Sequence, residues 1–130
     1  MIERKIEFKT VSSQGVYEFV GKGFINIQGN KARISFFDEK NNCEIAFSVL
    51  SNAKAVLSRK GDLAYTFSLE ENRKCFFVIK SQVGDINCEL NCNTLKIEIL
   101  TDKITVFSKY LLSVGGNIEN YQVYLNVYKD

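Results

Sequence analysis

The sequence predicts an all-β fold: one antiparallel meander of about 8–10 strands, closed into a barrel, that forms a single domain over residues 1–130. Three observations predict this fold. Apolar residues recur at every second position along much of the chain, short turns rich in glycine and asparagine separate these segments, and the 130 residues include no proline that would mark a linker. A β-sandwich is the alternative.

Residues 44–60 are compatible with two secondary structures. Apolar residues at 45–57 fall at helical spacing, which is typical of an amphipathic helix. The same segment also alternates with a period of two at 43–49 and again at 53–59, on either side of Ser51-Asn52. We therefore predict two strands here, with a break at Ser51-Asn52.

Alternation of apolar and polar residues is clearest from residue 63 onward. A period of two is typical of a half-buried strand, so we expect one face of each strand to point into the core. The predicted inward residues are Leu63, Tyr65, Phe67 and Leu69; Cys75, Phe77 and Ile79; Ile86, Cys88, Leu90 and Cys92; Leu95, Ile97 and Ile99; and Tyr121, Val123, Leu125 and Val127.

Short polar segments between these runs predict tight turns, because glycine and asparagine accept the positive φ angles that hairpins require. Strands joined by such short connections pair antiparallel, since a parallel crossover needs about a dozen residues. The predicted turns are Gln28-Gly29-Asn30, Lys60-Gly61-Asp62, Glu70-Glu71-Asn72, Val83-Gly84-Asp85 and Gly115-Gly116-Asn117.

Strands with one apolar face each either stack as two sheets or curl into a barrel, and both arrangements give a shared interior. Gly21-Lys22-Gly23 and Gly115-Gly116 are compatible with both, as barrel corners or as points where strands change sheets. A barrel has no exposed edge strands, which favours closure.

Charge and composition exclude several classes of partner. The 17 basic and 15 acidic residues are scattered along the chain, so nothing predicts a nucleic-acid surface. The N-terminal residues Met1-Ile2-Glu3-Arg4-Lys5 lack the apolar run of a signal peptide, and no segment is long and apolar enough to predict a membrane span. We expect a cytoplasmic protein with its cysteines as free, buried thiols. The cysteines are Cys43, Cys75, Cys88 and Cys92.

The absence of histidine excludes Ser-His-Asp and Cys-His nucleophiles and histidine-ligated metal centres. Cys88 and Cys92 would lie about 13 Å apart along a strand, too far to share a metal or a disulfide. We expect no enzyme activity, no metal and no cofactor. The remaining acid–base candidates are carboxylates that we interpret as solvated loop charges, namely Asp38, Glu39, Glu70, Glu71 and Glu119.

Arg59 shares the inward face of its predicted strand with Leu57. A buried guanidinium must be paired or hydrogen-bonded. Its planar fork suits either backbone carbonyls that close a barrel end, which is a structural role, or the carboxylate of a ligand, which is a functional one.

Several segments resemble the YwiB-like family, which consists of small bacterial proteins of unknown function. They are Gly23-Phe24-Ile25-Asn26-Ile27, Asn30-Lys31, Ile34-Ser35-Phe36-Phe37-Asp38-Glu39, the turn Arg59-Lys60-Gly61 with the following Tyr65 and Phe67, then Lys80, Gly84 and residues 121–127. Together they span nearly the whole chain. The resemblance implies a lipocalin-like, or calycin-like, barrel in a bacterial cytoplasm, with no established activity to carry over. Phe36 and Phe37 stand where the family usually has tyrosines, which removes two hydroxyls.

Two hypotheses about function follow from a barrel. In the first, the interior holds a small apolar ligand in contact with Arg59, Tyr65, Phe67, Phe77 and Tyr110, since about eight or more strands leave room for one small molecule. In the second, the interior is filled and outward apolar residues form a surface for a partner protein or a second copy of the chain. The outward residues are Phe76, Val78, Tyr124 and Tyr128.

Overall fold

The computed structural model describes residues 2–129, which form ten antiparallel strands. The strands are β1 (Ile2–Ser12), β2 (Gly15–Gln28), β3 (Lys31–Asp38), β4 (Cys43–Ser51), β5 (Lys54–Lys60), β6 (Tyr65–Leu69), β7 (Lys74–Ser81), β8 (Gly84–Ile99), β9 (Lys103–Val114) and β10 (Asn117–Tyr128). All of them belong to one sheet with the order β6-β5-β4-β3-β2-β1-β10-β9-β8-β7. Within residues 2–129 there is no helix with the length and apolar character to cross a membrane.

The sheet curls until β6 and β7, its two outer strands, meet. Ala64, just before β6, and Lys80 of β7 exchange two backbone hydrogen bonds of 3.0 and 2.8 Å, which make an isolated bridge. The result is a nearly closed barrel. The predicted antiparallel meander is therefore confirmed, and the alternative of a two-sheet sandwich is wrong because all ten strands share one sheet.

The segment 44–60 forms two strands, as predicted, and not a helix. Phe47 and Val49 on β4 and Ala55 and Leu57 on β5 are all buried in the core. Phe47 faces Leu57, and Val49 faces Ala55, across the strand pair. The period of two predicts that these residues lie on the same face of the sheet. Because they pack against one another across the strand pair, the segment is more stable as two strands than as a helix.

Strand β8 is one continuous strand that includes both alternating segments, 86–92 and 95–99. Its register shifts between Cys92 and Thr94, which is a β-bulge. The bulge changes the parity of the inward residues, so that Cys92 and Leu95 are both buried. Ser108 of the neighbouring strand donates a hydrogen bond of 2.8 Å to the carbonyl of Thr94 at this point. The parity change in the sequence was the signal of a bulge, not of a turn.

Strands β2 and β3 pair only where Phe24–Gln28 faces Lys31–Ser35. Beyond Ser35, side chains link the two strands in place of backbone hydrogen bonds. The ring of Phe19 stacks on that of Phe36 with 4.3 Å between centroids, and the Tyr17 hydroxyl donates a hydrogen bond to Asp38. The sheet therefore has a second interrupted border besides the one between β6 and β7.

Turns alternate between the two ends of the barrel because neighbouring strands are antiparallel. We call the end with the β1–β2, β3–β4, β5–β6, β7–β8 and β9–β10 turns the open end, and the other the closed end. Apolar side chains pack the interior toward the closed end. Residues fully buried there include Ile6, Ile34, Phe47, Val49, Leu69, Ile104, Val106, Leu125 and Val127.

Candidate functional site

The interior near the open end contains a cavity of about 380 Å³. This volume is within the range of about 300–1,000 Å³ that is typical of small-molecule sites. Its lining residues next to the open-end turns include Tyr17, Leu63, Ile79, Val114 and Tyr121. The barrel is therefore packed toward the closed end and hollow toward the open end, and we call the hollow part the cup.

All five residues of the predicted ligand site line this cavity: Arg59, Tyr65, Phe67, Phe77 and Tyr110. The four aromatic rings contact one another. Ring centroids are 5.8 Å apart for Tyr65 and Phe67, 5.1 Å for Phe67 and Phe77, and 5.7 Å for Phe67 and Tyr110. Such distances are typical of favourable aromatic pairs. We call these four residues and Tyr121 the aromatic cluster.

Tyr121 completes the aromatic cluster, although the sequence indicated only that it points inward. It faces Tyr110 across the β9–β10 pair. The two rings are stacked nearly parallel, with 5.5 Å between their centroids and 4° between their planes. The register of β9 and β10 makes this contact, and the sequence alone does not determine that register.

Tyr110 has a buried ring, with 4% of its surface exposed, and lines the cavity. Among the described residues, no hydrogen-bond partner is present for its hydroxyl, and none for those of Tyr65 and Tyr121. Burial raises the pKa of Tyr110, and the neighbouring phenols Tyr65 and Tyr121 raise it further. Burial also raises the pKa of Tyr65. The phenols of Tyr65 and Tyr110 therefore stay neutral, and each can donate a hydrogen bond to a molecule in the cavity.

Arg59 lies directly opposite Tyr65 on the neighbouring strand, and both line the cavity. Its Nη1 donates hydrogen bonds to Asp62 Oδ1, at 3.1 Å, and to the carbonyl of Leu63. The Arg59 side chain is 16% exposed, whereas that of Asp62 is 68% exposed. The carbonyl contact holds the β5–β6 turn, so Arg59 has a structural role at the rim of the cavity.

Asp38 is buried, with 6% of its surface exposed, so the interpretation of this residue as a solvated loop charge is wrong. Its carboxylate accepts hydrogen bonds from the Tyr17 hydroxyl, from Asn41 Nδ2 at 2.7 Å and from the backbone N–H of Lys40 at 3.1 Å. Burial alone would raise the pKa of Asp38, but these hydrogen bonds outweigh it and the net pKa is lowered. An aspartate followed by turn residues is typical of an Asx-turn, in which the carboxylate accepts hydrogen bonds from the turn. This pattern in the sequence could have predicted that Asp38 is not simply solvated.

The Asp38 contacts predict an acid-sensitive contribution to stability. Because the pKa of Asp38 is lower in the folded chain than the value of about 4 for an unfolded aspartate, its stabilising effect is fully present above that value. The effect is lost as the pH falls through the folded-state pKa. At neutral pH we expect Asp38→Asn to lower the free energy of unfolding by about 1 kcal/mol, the difference between charged and neutral hydrogen bonds.

Urea denaturation of Asp38→Asn and the unchanged chain, from neutral pH to about pH 3, measures this contribution. The difference between the two proteins should shrink below about pH 4. Glu39→Gln is the matched control, since Glu39 is the exposed neighbour. A difference that stays constant down to low pH would contradict the expected role of the Asp38 charge.

Comparison with known proteins relates the chain to a family. The family model described as "Domain of unknown function (DUF1934)" matches residues 2–125. The chain belongs to the DUF1934 family. The predicted resemblance to YwiB-like proteins is confirmed by the crystal structure of the ywiB protein from Bacillus subtilis, which superposes on this DUF1934 chain with a TM-score of 0.76 and 18% sequence identity. The match covers 96% of this chain and 92% of that one. No curated protein matches the chain.

The structural match shows that this DUF1934 chain has the fold of the ywiB protein. At 18% identity it carries no information about shared ligands. The family description assigns no activity either. The cavity and the surface of this chain are therefore the features that bear on its function.

The predicted interaction surface of the DUF1934 chain consists of two separate places. Phe76 and Val78 are exposed on β7, at 76% and 36%. Tyr124 and Tyr128 lie on β10, which β8 and β9 separate from β7. The Tyr124 ring packs on Phe107, with 4.9 Å between centroids. The structure does not bring the four predicted residues into one patch, and a role in binding a partner stays a prediction.

The four cysteines of the DUF1934 chain are free thiols. Cys43, Cys88 and Cys92 are buried, as predicted, whereas Cys75 is partly exposed. Within residues 2–129, no group of three or more histidine, cysteine, aspartate or glutamate side chains is arranged to hold a metal ion. Burial raises the pKa of Cys43, although the nearby Arg59 guanidinium opposes this, so the thiol at the cavity rim is neutral.

Proposed function

We propose that the chain is a non-enzymatic binding protein that holds one small, largely apolar molecule in the cup. The observation that carries this proposal is the cavity of about 380 Å³, which the aromatic cluster lines in a barrel that is packed toward its closed end. This volume lies at the lower end of the range of about 300–1,000 Å³ for small-molecule sites, so it suits one small ligand. Apolar walls with a few polar groups are typical of ligand sites.

Unpaired phenols support a ligand more than they support a packed core. A polar group that is buried in a finished core has a hydrogen-bond partner in most proteins. Among the described residues, no side-chain oxygen or nitrogen that is fully shut off from solvent lacks a partner, so the unpaired Tyr110 hydroxyl opens into the cavity although the rest of the residue is buried. A bound molecule with an oxygen or nitrogen acceptor would satisfy that hydroxyl.

Absence of histidine and the low reactivity of the rim groups support a binding role without chemistry. The cavity has neutral phenols and a neutral thiol, and the buried carboxylate nearby is already occupied by hydrogen bonds. We place this role in the cytoplasm, where free thiols such as those of the four cysteines stay reduced.

Calorimetric titration with three neutral probes, β-naphthamide, indole and octanamide, tests the proposal. We expect at least one to bind and to raise the melting temperature, because a ligand at about a hundred times its Kd adds about 2.7 kcal/mol of stability. Leu112 lines the cavity, so Leu112→Trp should fill it and lower the affinity at least about tenfold.

Val83→Trp is the matched control, because Val83 is 95% exposed at the β7–β8 turn and its replacement leaves the cavity unchanged. Equal affinity in the Leu112→Trp and Val83→Trp proteins would place binding outside the cup. Failure of all three probes, and of the carboxylate β-naphthoic acid, to bind or to shift the melting temperature would remove the proposal.

A further inference from the structure

We infer that the ligand carries a carboxylate, which Arg59 binds at the rim of the cavity, and a planar apolar body, which packs on the aromatic cluster. This inference rests on the proposed binding role and adds the chemical class of the ligand. Three observations carry it: the donors that Arg59 has left, the charges around the cavity and the position of Arg59 relative to the rings.

The first observation is the state of the Arg59 guanidinium. Its acceptors among the described residues are Asp62 and the carbonyl of Leu63, and both use Nη1. Nε and Nη2 have no oxygen acceptor among the described residues, and the Cys43 thiol is a weak partner beside the guanidinium. These two N–H groups lie side by side on the guanidinium and match the two oxygens of a carboxylate in a bidentate pair. Among the described residues, no fully buried side-chain nitrogen lacks a partner, so these two donors are accessible to a molecule in the cavity that Arg59 lines.

The second observation is the sign of the charge. Arg59 is the one ionised side chain among the described residues that line the cavity. Asp62 lies largely in solvent, where water screens its charge. The Asp38 carboxylate does not line the cavity and is satisfied by Tyr17, Asn41 and the turn backbone. An anion inside the cavity is therefore attracted, whereas a cation would meet the guanidinium at close range.

The third observation is geometric. Arg59 and Tyr65 are direct partners across β5 and β6, so a group bound to the guanidinium lies beside the Tyr65 ring. That ring is parallel to Phe67, with 6° between their planes. Phe67 in turn contacts Phe77 and Tyr110. A ligand anchored at Arg59 thus extends along ring faces, which favours a flat apolar body over a branched one.

Two probes of the same shape test the inference: β-naphthoic acid, which is ionised at neutral pH, and β-naphthamide, which is neutral. We expect calorimetry to show that the acid binds at least about tenfold more tightly than the amide, because charge-assisted bidentate hydrogen bonds are the stronger kind. In Arg59→Met this preference should disappear. The affinity for the acid should fall about ten- to a hundredfold, whereas the affinity for the amide should change less than about threefold.

Asp62→Asn is the matched control for the structural role of Arg59. It removes the ion pair of the β5–β6 turn but leaves the guanidinium, so the acid should bind as tightly as before or more tightly. Arg59→Lys keeps the positive charge without the planar fork and should give an intermediate affinity for the acid. Arg59→Lys also replaces Arg59→Met as the test variant if circular dichroism shows that Arg59→Met does not fold.

The outcomes separate the two proposals. If the amide binds and the acid binds no better, or if the acid keeps its full affinity in the folded Arg59 variants, the carboxylate inference is overturned while the binding role stands. If neither naphthalene compound binds and indole and octanamide also fail, both are overturned. A loss of acid binding in Asp62→Asn equal to that in Arg59→Met would assign Arg59 to the turn alone and overturn the inference.

Discussion

Phe47→Ala is expected to lower the free energy of unfolding by about 3 to 5 kcal/mol, the range for deleting a large aromatic side chain from a packed core. Phe47 is 1% exposed and lies among the packed residues toward the closed end. Its neighbours across the sheet are Ile34 and Leu57, whose side chains are also buried. The backbone of three paired strands limits how far these neighbours can collapse into the space left by the ring.

Urea denaturation measured by circular dichroism gives the free energy, and an unchanged slope with urea would show that the comparison is between the same two states. Phe76→Ala is the matched control, because Phe76 is 76% exposed and its loss should change stability by less than about 0.5 kcal/mol. A cost for Phe47→Ala below about 1 kcal/mol would contradict a packed closed end.

Gly23→Ala is expected to destabilise the protein by about 1 to 3 kcal/mol, the cost of adding a group to a filled site. A Cβ at this position would overlap the Cδ1 methyl of Ile6 and the carbonyl oxygen of Ser35, and would lie 2.9 Å from the Cβ of Phe36. The carbonyl belongs to the β2–β3 ladder and cannot move without breaking it. The cause is therefore the close approach of two backbones.

Gly21→Ala is a sharp control for this prediction, because a Cβ there would meet mainly the tip of the Phe19 ring, at 2.8 Å. A side-chain tip can rotate away, and alanine also restricts the unfolded chain, which stabilises by about 0.4 to 1 kcal/mol. Thermal denaturation of both variants should show Gly23→Ala well below Gly21→Ala. Equal melting temperatures would indicate that β2 can shift away from β3 at Gly23.

The strands could be predicted because apolar side chains of a half-buried sheet must alternate, and this constraint is local. It gave the inward faces of β4 and β5 and favoured strands over a helix at 44–60, which the structure confirms. It could not give the bulge in β8, because a parity change after Cys92 has the same appearance in sequence as a turn between two strands. Only the pairing with β9 distinguishes the two.

The cavity residues were partly predictable for the same reason. Tyr65, Phe67 and Phe77 follow from inward parity and bulk. Tyr17 and Asp38 did not, because their contact depends on the divergence of β2 and β3 after Ser35, which is a property of the assembled sheet. The hollow itself also requires the full structure, since composition alone is compatible with a filled interior.

The predicted outward patch shows the limit of parity without strand order. Phe76 and Tyr124 are both exposed, as their positions indicated. Their strands are not neighbours, since β8 and β9 lie between them. The meander order already implies this separation. Outward residues form one patch only where their strands are also neighbours in the sheet.

The isolated bridge at Ala64 and Lys80 marks the border of the barrel wall that has the least backbone pairing. Nine borders between strands are held by ladders of backbone hydrogen bonds, whereas β6 and β7 share the one bridge near the open end. Side chains hold the rest of that border: the backbone N–H of Ser68 donates a hydrogen bond of 3.4 Å to Cys75 Sγ, and the Phe67 ring packs on that of Phe77. The circumference of the interior is therefore fixed least firmly at two places, between β6 and β7 and between β2 and β3 beyond Ser35, where side chains replace a backbone ladder.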